Sequence, residues 1–424
     1  MDEPNEGLRL TYRDAFVVLL VFNAFLHAFV IYETAMWTWA PGDDIMRWTI
    51  EFCELFREKG LTNVWTPYPQ GANLIYHLLF SLASLGPWRD MLFWMLWKIF
   101  LHIIPDVLTL LTIYLIGREL AGERIAFLAS MYFTFSFAPY LYGLLTNFVY
   151  DPFPVFLTVL GLYLLIRRKL IGSAVVIGIG TAVKLFPASL LIVGLRLFKG
   201  RRRIRFAITS LMLTSVILLP FAIANPPIFV STYHWQSGRP PWETLYSYVL
   251  AAIDAPFSFD QPYYRDYFAS NSGWLFWGIT PNPNTLTTPI PPQPTRWWNV
   301  TSLLGFALML SPLLLASVRE SEEIIGWVTY VFLAFFLWNI GWSPQYELFV
   351  IPLLLYSYGN RIHRAGAVSY LLQGTVLLEY SLSPPGVIQV GGVASFKILF
   401  GLLRYSIFAF TLLQLFTRGV LKVR

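Results

Sequence analysis

Two neighbouring carboxylates, Asp43 and Asp44, have the types and spacing to do chemistry at a membrane surface. They follow the apolar run 15–32 and the turn Ala40-Pro41-Gly42, where a first membrane span would end. One aspartate could cap the amphipathic segment 45–58, because its side chain accepts hydrogen bonds from the first N–H groups of a helix. A cap needs only one carboxylate, so the other could act as an acid or base. Capping alone remains the competing interpretation.

Two cations could bind a phosphate anion. Arg239 lies between Gly238 and Pro240 in an aromatic segment, and a fixed guanidinium can donate two parallel hydrogen bonds to phosphate. The alternative is a membrane-surface helix with a snorkelling arginine. Lys184 lies within an apolar segment, where an unpaired ammonium would cost roughly 2.5 to 3.5 kcal/mol. We therefore expect a carboxylate or an anionic ligand beside Lys184.

Several aromatic, amide and carboxyl side chains could contact a sugar or a lipid headgroup. Aromatic rings give an apolar surface for a sugar ring, and amide and hydroxyl groups can pair with its hydroxyls. Interfacial anchoring is the competing role for the aromatic residues. For the acid in this set, helix capping is the competing role. The candidates are Tyr68, Asp151, Trp235, Gln236, Gln345 and Tyr346.

Other charged residues within apolar segments are expected to fasten helices together. Lys98, His102 and Asp106 have the spacing of one helical face, which favours an internal ion pair over catalysis. Glu379 and Arg404 are expected to pair between the last two helices.

The overall composition indicates what kind of protein positions these residues. With 56% hydrophobic and 13% charged residues and a mean hydropathy of +0.57, the 424-residue chain is too apolar for a soluble domain. It is expected to be one all-α, polytopic transmembrane domain, 1–424. The net charge of +6 lies mainly in short loops, so no nucleic-acid partner is expected. The single cysteine, Cys53, excludes an internal disulfide, and no His, Asp and Glu cluster predicts a metal or cofactor.

The apolar runs predict about ten full membrane spans. The connections at one membrane face are short and rich in Arg and Lys, so both termini are expected in the cytoplasm. The long loops 36–92 and 225–299, with interfacial helices, would then face outward. The predicted spans are 15–35, 93–117, 125–145, 151–166, 204–224, 300–317, 324–341, 348–360, 365–381 and 397–416.

The segment 170–196 does not fit a simple span. It lies between two basic clusters and must cross the membrane an even number of times, yet about 26 residues suffice for only one full crossing. Gly178, Gly180 and Pro187 predict a broken or re-entrant hairpin that turns at 182–187, with Lys184 at the turn.

Four short motifs occur together in the chain. They are Asp44 with Trp48 four positions on, Tyr68-Pro69, Val183-Lys184-Leu185-Phe186-Pro187, and Ser343-Pro344-Gln345-Tyr346. This combination resembles the GT-C superfamily of integral membrane glycosyltransferases. Within it, the likeness is to polyprenol-phosphate-mannose-dependent alpha-mannosyltransferases, particularly those with a Lys-x-x-Pro turn, and it covers most of the chain.

The resemblance implies a mechanism. In this superfamily an acid of the first outer loop acts as general base on an acceptor hydroxyl, which displaces a lipid phosphate from the sugar with inversion. Asp44 matches that acid by its spacing to Trp48, and Asp43 is the alternative. The implied donor is a polyprenyl- or dolichyl-phosphate sugar, and the acceptor a glycan or a lipid-linked molecule. The chain lacks a clear second acid late in the first loop, a place that Asp151 could fill.

Two other classes of protein fit parts of the sequence. A secondary transporter would also have about ten spans, a broken hairpin and charges within the membrane. However, no inverted repeat is evident, and the long aromatic outer loops exceed what a transporter needs. A flippase or polymerase for lipid-linked sugars stays open, because it needs the same headgroup chemistry.

Overall fold

The computed structural model is predominantly helical in the part of the chain that it describes. That part comprises residues 11–38, 44–140, 150–238, 244–246, 286–290, 292, 297–316, 318–339, 341–342, 344–359, 361–381 and 393–417. The helices are α1 (Tyr12–Thr38), α2 (Asp44–Lys59), α3 (Gln70–Ala83), α4 (Arg89–Lys98), α5 (Ile104–Ala121), α6 (Glu123–Thr134), α7 (Pro152–Ile166), α8 (Leu170–Val183), α9 (Ala188–Leu197), α10 (Gly200–Ala224), α11 (Pro226–Gly238), α12 (Trp297–Leu315), α13 (Ser321–Trp338), α14 (Glu347–Ser357), α15 (Ile362–Ser381) and α16 (Val393–Thr417). A π-helical segment, Ile99–Ile103, joins α4 to α5, and 3-10 turns occupy Leu61–Asn63 and Pro344–Tyr346.

Six helical stretches in the described part are long and apolar enough to cross a membrane. They are Tyr12–Glu33, Arg89–Ala121, Gly200–Ala224, Trp297–Leu315, Ser321–Trp338 and Leu399–Thr417. The chain is therefore an integral membrane protein, and the expected all-α class is confirmed. The helices α7, α8, α9 and α14 are apolar but shorter, so ten full spans remain a prediction.

The main core lies where helices from both halves of the chain meet. In the first half α5 packs on α6 and α7, and α8 packs on α7 and α10. From the second half, α13 packs on α7 and α9, while α14 packs on α6 and α7. The apolar side chains of these helices form one large buried cluster. This packing positions the end of α8 and the starts of α7 and α14 around one site.

The chain breaks at Lys184, between α8 and α9, within the predicted turn 182–187. Lys184 has an extended backbone, with φ −154° and ψ 140°, so it cannot continue α8. Gly180 allows the chain to fold back closely, because a Cβ atom there would lie 2.9 Å from Pro187 Cγ. The glycine and proline that predict the break are therefore in direct contact.

In the first outer loop, α2 buries its apolar face, whereas α3 keeps an exposed row of apolar side chains. The predicted amphipathic helix 45–58 is present as α2, but its Phe52 and Phe56 are only 2% and 1% exposed. They pack with Tyr76 and Phe80 of α3 in a second core cluster. Protein, rather than lipid, thus covers this apolar face. An exposed apolar row lies instead on α3, at Leu74, Leu78 and Leu82.

The π-helical segment changes which charged residues meet in the α4–α5 span. A π turn contains more residues than an α turn and so rotates the preceding side chains relative to those that follow. Asp106 contacts His27 of α1, with 3.1 Å between Oδ2 and Nε2. A polar contact that fastens helices here therefore joins α1 to α5. The spacing predicts an ion pair among Lys98, His102 and Asp106, and none between these three is found in the part of the chain that the structure describes.

Candidate active site

The break between α8 and α9 places Lys184 against Asp151, the residue before α7. The Lys184 ammonium donates a hydrogen bond to Asp151 Oδ1, and the two side chains are 14% and 3% exposed. Pro152 begins α7, where a proline fits because the first helical N–H groups have no partner within the helix. The carboxylate that the sequence predicts beside Lys184 is therefore present, on another helix.

Four aromatic rings surround the same ammonium. A ring face attracts a cation by roughly 0.5 to 2 kcal/mol, and more strongly where water is excluded. The electrostatic attraction between Lys184 and any anion is also stronger in such surroundings than in water. The distances from Lys184 Nζ to the ring centroids are 5.0 Å for Tyr150, 5.3 Å for Phe186, 5.2 Å for Tyr346 and 5.9 Å for Phe349.

Three tyrosines extend this enclosure towards the first outer loop. The ring centroids of Tyr68 and Tyr150 are 5.5 Å apart, and those of Tyr68 and Tyr76 are 5.8 Å apart, both edge to face. Tyr150 donates a 3.3 Å hydrogen bond to the Val183 carbonyl oxygen at the break. Burial raises the pKa of the Tyr150 hydroxyl, so it keeps its proton and remains a donor.

The start of α3 is pressed against the break, which fixes the position of Tyr68. A Cβ atom on Gly71 would lie 2.4 Å from the Ala182 carbonyl oxygen, closer than any side chain could approach. Nearby, the Thr66 hydroxyl donates a 2.7 Å hydrogen bond to Asn73 Oδ1. The turn that precedes α3 and carries Tyr68 is thus fixed by Thr66 on one side and by Gly71 on the other.

Trp235 and Gln236 of α11 hold this same turn from the other side. Trp235 is 1% exposed, and its ring centroid lies 6.5 Å from that of Trp65. The Gln236 side-chain amide donates a 2.7 Å hydrogen bond to the Pro67 carbonyl oxygen. These contacts connect α11 to the turn that carries Tyr68.

The structure brings together several of the residues singled out in the sequence. Lys184, Asp151, Tyr346 and Tyr68 share one region, through the contacts given above. Gln345 is half-buried next to Tyr346 in the 3-10 turn before α14.

The three remaining candidates lie wholly or partly outside the described residues. Asp44 begins α2, where the sequence places a helix start, but its side chain is not among those described. Asp43 and Arg239 lie outside the described part of the chain. Their roles stay predictions.

Several residues of the site were not among the candidates. Phe186 and Phe349 occupy apolar patterns typical of a core, and only the folded chain shows them around Lys184. Farther along α3 and α4, the described part offers no hydrogen-bond partner to three buried polar atoms, Asn73 Nδ2, Tyr76 Oη and Trp97 Nε1. Buried polar groups normally have a partner, so these atoms are suited to bind water or a polar ligand.

A second buried charge cluster lies between the last helices. Arg404 donates a 3.2 Å hydrogen bond to Glu379 Oε1, and both side chains are fully buried. The guanidinium also lies 4.3 Å from the ring centroid of Trp342. The predicted pairing of Glu379 and Arg404 is confirmed, and it fastens α15 to α16.

Within the described ranges, no group of three or more His, Cys, Asp or Glu side chains could hold a metal ion. The fold and the site define an all-helical integral membrane protein with a buried, paired cation at a helix break. Aromatic rings from the regions before α7, after α8 and at α14 line that cation.

Comparisons with known proteins yield matches only among solved structures. No protein-family model and no curated protein matches the chain. It is similar to ArnT from Cupriavidus metallidurans bound to undecaprenyl phosphate, at 14% identity over 96% of this chain and 78% of that chain, with a TM-score of 0.45. The apo state of that ArnT gives 13% identity over 96% and 78% of the two chains, with a TM-score of 0.41.

A third similar structure is the apo form of the Archaeoglobus fulgidus oligosaccharyltransferase. The identity is 13% over 96% of this chain, with a TM-score of 0.42, and the match spans 56% of that chain's length. Since all three TM-scores are below 0.5, the function proposed next rests on this chain's own residues.

Proposed function

We propose that the protein is a membrane glycosyltransferase that moves a sugar from a polyprenyl-phosphate donor to an acceptor hydroxyl on the outer face. The observation that carries this proposal is the Lys184 ammonium, held at a helix break among aromatic rings and nearly shielded from water. A cation in such surroundings can stabilise the charge that develops on a leaving phosphate. The motifs that resemble GT-C enzymes support the same function.

Asp44 is the proposed general base, with Asp43 as the alternative. The acceptor oxygen bonds to the anomeric carbon while the bond from that carbon to the donor phosphate oxygen breaks. Its electron pair leaves with the phosphate, and the acceptor proton passes to the carboxylate. A phosphate is a stable leaving group, so a base matters more than an acid. Attack from the face opposite the phosphate inverts the anomeric configuration.

Lys184 and Arg239 are the proposed ligands of the donor phosphate. In the structure Asp151 balances the charge of Lys184, so donor binding would exchange one anionic partner of the ammonium for another. A charge-assisted hydrogen bond contributes roughly 1.5 to 3 kcal/mol. Arg239→Ala should therefore weaken donor binding about tenfold or more.

The sugar and headgroup are proposed to be bound by one group of residues and positioned with the help of a second group. The Tyr346 ring lies 5.2 Å from the Lys184 ammonium, and Tyr68 packs on Tyr150, whose ring also faces that ammonium. These two tyrosines and Gln345, the neighbour of Tyr346, would contact the ligand directly. Trp235 and Gln236 would act by holding the turn that carries Tyr68. Mannose as the sugar, and a glycan or lipid-linked acceptor, rest on the resemblance.

Sugar transfer by the purified protein tests this proposal. The full chain in lipid would receive a polyprenyl-phosphate mannose and a panel of glycan, lipid and peptide acceptors. We expect Asp44→Asn to reduce transfer at least about a hundredfold, the lower range for general-base catalysis. Asp43→Asn identifies the base if Asp44→Asn has little effect. Glu58→Gln is the matched control, because Glu58 is an exposed acid at the far end of α2.

Unreduced transfer in the double variant Asp43→Asn/Asp44→Asn would contradict the catalytic assignment. Donor binding, measured separately, shows whether a variant lost the donor or the chemistry. Unchanged donor affinity in Arg239→Ala would leave Lys184 as the single proposed phosphate ligand.

A transporter is the second candidate function, and one observation favours it. A paired lysine at an interrupted helix, as at Lys184 and Asp151, is also the kind of site that transporters use. Sealed vesicles separate the two functions. Movement of a solute across the membrane, or of a lipid-linked sugar between leaflets, with no transfer to any acceptor, would favour a transporter or flippase over an enzyme.

A further inference from the structure

A basic cavity lies at the end of α9 remote from Lys184. Its volume is about 180 Å³, and four cationic side chains line it together with apolar residues near the end of α12. The cations are Arg196, Lys199, Arg203 and Arg319. Because α9 has 10 residues, its two ends are about 15 Å apart, so this cavity is separate from the candidate active site.

Backbone carbonyls hold two of the guanidinium groups in place. Arg196 Nη2 donates a 3.0 Å hydrogen bond to the Ala316 carbonyl oxygen, and Arg203 Nε donates one of 3.1 Å to that of Phe198. Arg196 Nε is buried, and nothing in the described part of the chain accepts a hydrogen bond from it. A buried charged donor without an acceptor is costly, which points to a ligand that is an acceptor.

The four cations have no carboxylate partners among the described residues. The ion pairs found there involve other side chains. The nearby Glu323 accepts hydrogen bonds from the backbone N–H groups of Arg319, at 2.7 Å, and Glu320, at 3.0 Å, and so caps the start of α13. The cavity thus has an excess of positive charge, which favours an anion.

Apolar surfaces adjoin the cavity on two sides. The exposed face of α10 begins one residue after Arg203, with Ile204 and Ile208 each 59% exposed. On α12, Leu314 and Leu315 are 69% and 60% exposed next to the cavity wall. Both helices are long and apolar enough to cross a membrane, and both pack on α9. A ligand here would have its charge in the cavity and its apolar part along α10 or α12.

We infer that this cavity binds the phosphate headgroup of an anionic phospholipid. Basic pockets between transmembrane helices suit such headgroups, because guanidinium groups pair with phosphate oxygens while the acyl chains stay in the bilayer. The topology predicted from the basic loops puts this site in the cytoplasmic leaflet. Inorganic phosphate carries the same charged group, so the test must show that the acyl chains contribute to binding.

Lipid binding to the purified full-length protein in detergent, followed by native mass spectrometry, tests this site. The probes are phosphatidylglycerol, phosphatidylcholine with the same acyl chains, and inorganic phosphate. We expect the double variant Arg196→Gln/Arg203→Gln to bind phosphatidylglycerol at least about tenfold more weakly than the native chain. The control Arg201→Gln/Arg205→Gln removes the same charge from the same segment but does not touch the cavity, and should stay within about twofold.

Thermal unfolding shows whether the cavity variant has a folding defect. Without added lipid, the cavity variant and its control should unfold at similar temperatures, and phosphatidylglycerol should raise that temperature only where the cavity is intact. Equal loss of binding in both double variants would overturn the assignment in favour of a diffuse basic surface. Equal binding of the two phospholipids, or of inorganic phosphate and phosphatidylglycerol, would also overturn it.

Discussion

At the scale of single residues, the site depends on how the charge of Lys184 is balanced. An isolated ammonium among aromatic rings would be costly, and Asp151 removes that cost by a direct hydrogen bond. The same residue was a candidate substrate ligand in the sequence, where no pattern links it to a lysine so far along the chain. Pairing between distant residues depends on how α7 and α8 pack, which spacing does not encode.

The energetic coupling of this pair can be measured with a double-mutant cycle. Lys184→Met leaves a buried carboxylate and Asp151→Asn leaves a buried ammonium, so each should lower the free energy of unfolding by about 3 to 5 kcal/mol. The double variant should lose clearly less than the sum. Unfolding of the purified variants in detergent gives the values.

The exposed ion pair of Arg167 and Glu119 is the control for that cycle. Its side chains are 44% and 37% exposed, so removal should cost at most about 1 kcal/mol. Strictly additive losses at Lys184 and Asp151 would mean that their contact contributes nothing to stability.

At the scale of helices, the close approach of α3 to the α8–α9 break positions the tyrosines. The contact depends on Gly71, which lies against the Ala182 carbonyl, much as Gly180 lies against Pro187. Both contacts join segments that carry part of the site. Small changes at these glycines should therefore affect the site without altering any of its side chains.

Gly71→Ala tests this positioning role. Its Cβ atom would lie 2.4 Å from a backbone oxygen, so α3 or the break must shift, at a cost of about 1 to 3 kcal/mol. We expect a lower unfolding temperature and weaker donor binding. Gly374→Ala in α15 is the control, because no atom lies within 4 Å of its added Cβ and alanine favours a helix. A Gly71→Ala variant that matches this control would refute the close contact.

The sequence predicts these helices better than it predicts their contacts. Amphipathic spacing indicates α2, and Gly180 with Pro187 indicates the break, because both signals are local. The burial of Phe52 and Phe56 under protein could not be predicted, since an apolar face is the same whether lipid or protein covers it. The π-helical turn at Ile99–Ile103 also has no local sequence signal, and it lies between Lys98 and Asp106, whose carboxylate contacts His27.

At the scale of the whole molecule, the two sites described above lie at opposite ends of α9. Lys184 precedes that helix, and Arg196 is in its last turn. The uneven distribution of Arg and Lys predicts that the first site faces outward and the second faces the cytoplasm.

Cysteine labelling tests this orientation. Cys53 is buried, so the native chain should react poorly with a membrane-impermeant maleimide and serves as the control. In intact spheroplasts we expect Lys59→Cys to react, because Lys59 is exposed in the first outer loop. Arg201→Cys should react only after the membrane is permeabilised. The reverse pattern would invert the topology and move the proposed reaction to the cytoplasmic side.

The pairing of Lys184 with Asp151 also bears on how the chain is made. The carboxylate is 33 residues earlier in the sequence, so it is synthesised first. If α7 and α8 insert together, Lys184 and Asp151 enter the bilayer as a pair with their charges cancelled. An ammonium that arrived alone would bear the full cost of leaving water, roughly 2.5 to 3.5 kcal/mol. Because each charge neutralises the other, we expect α7 and α8 to insert together during biogenesis.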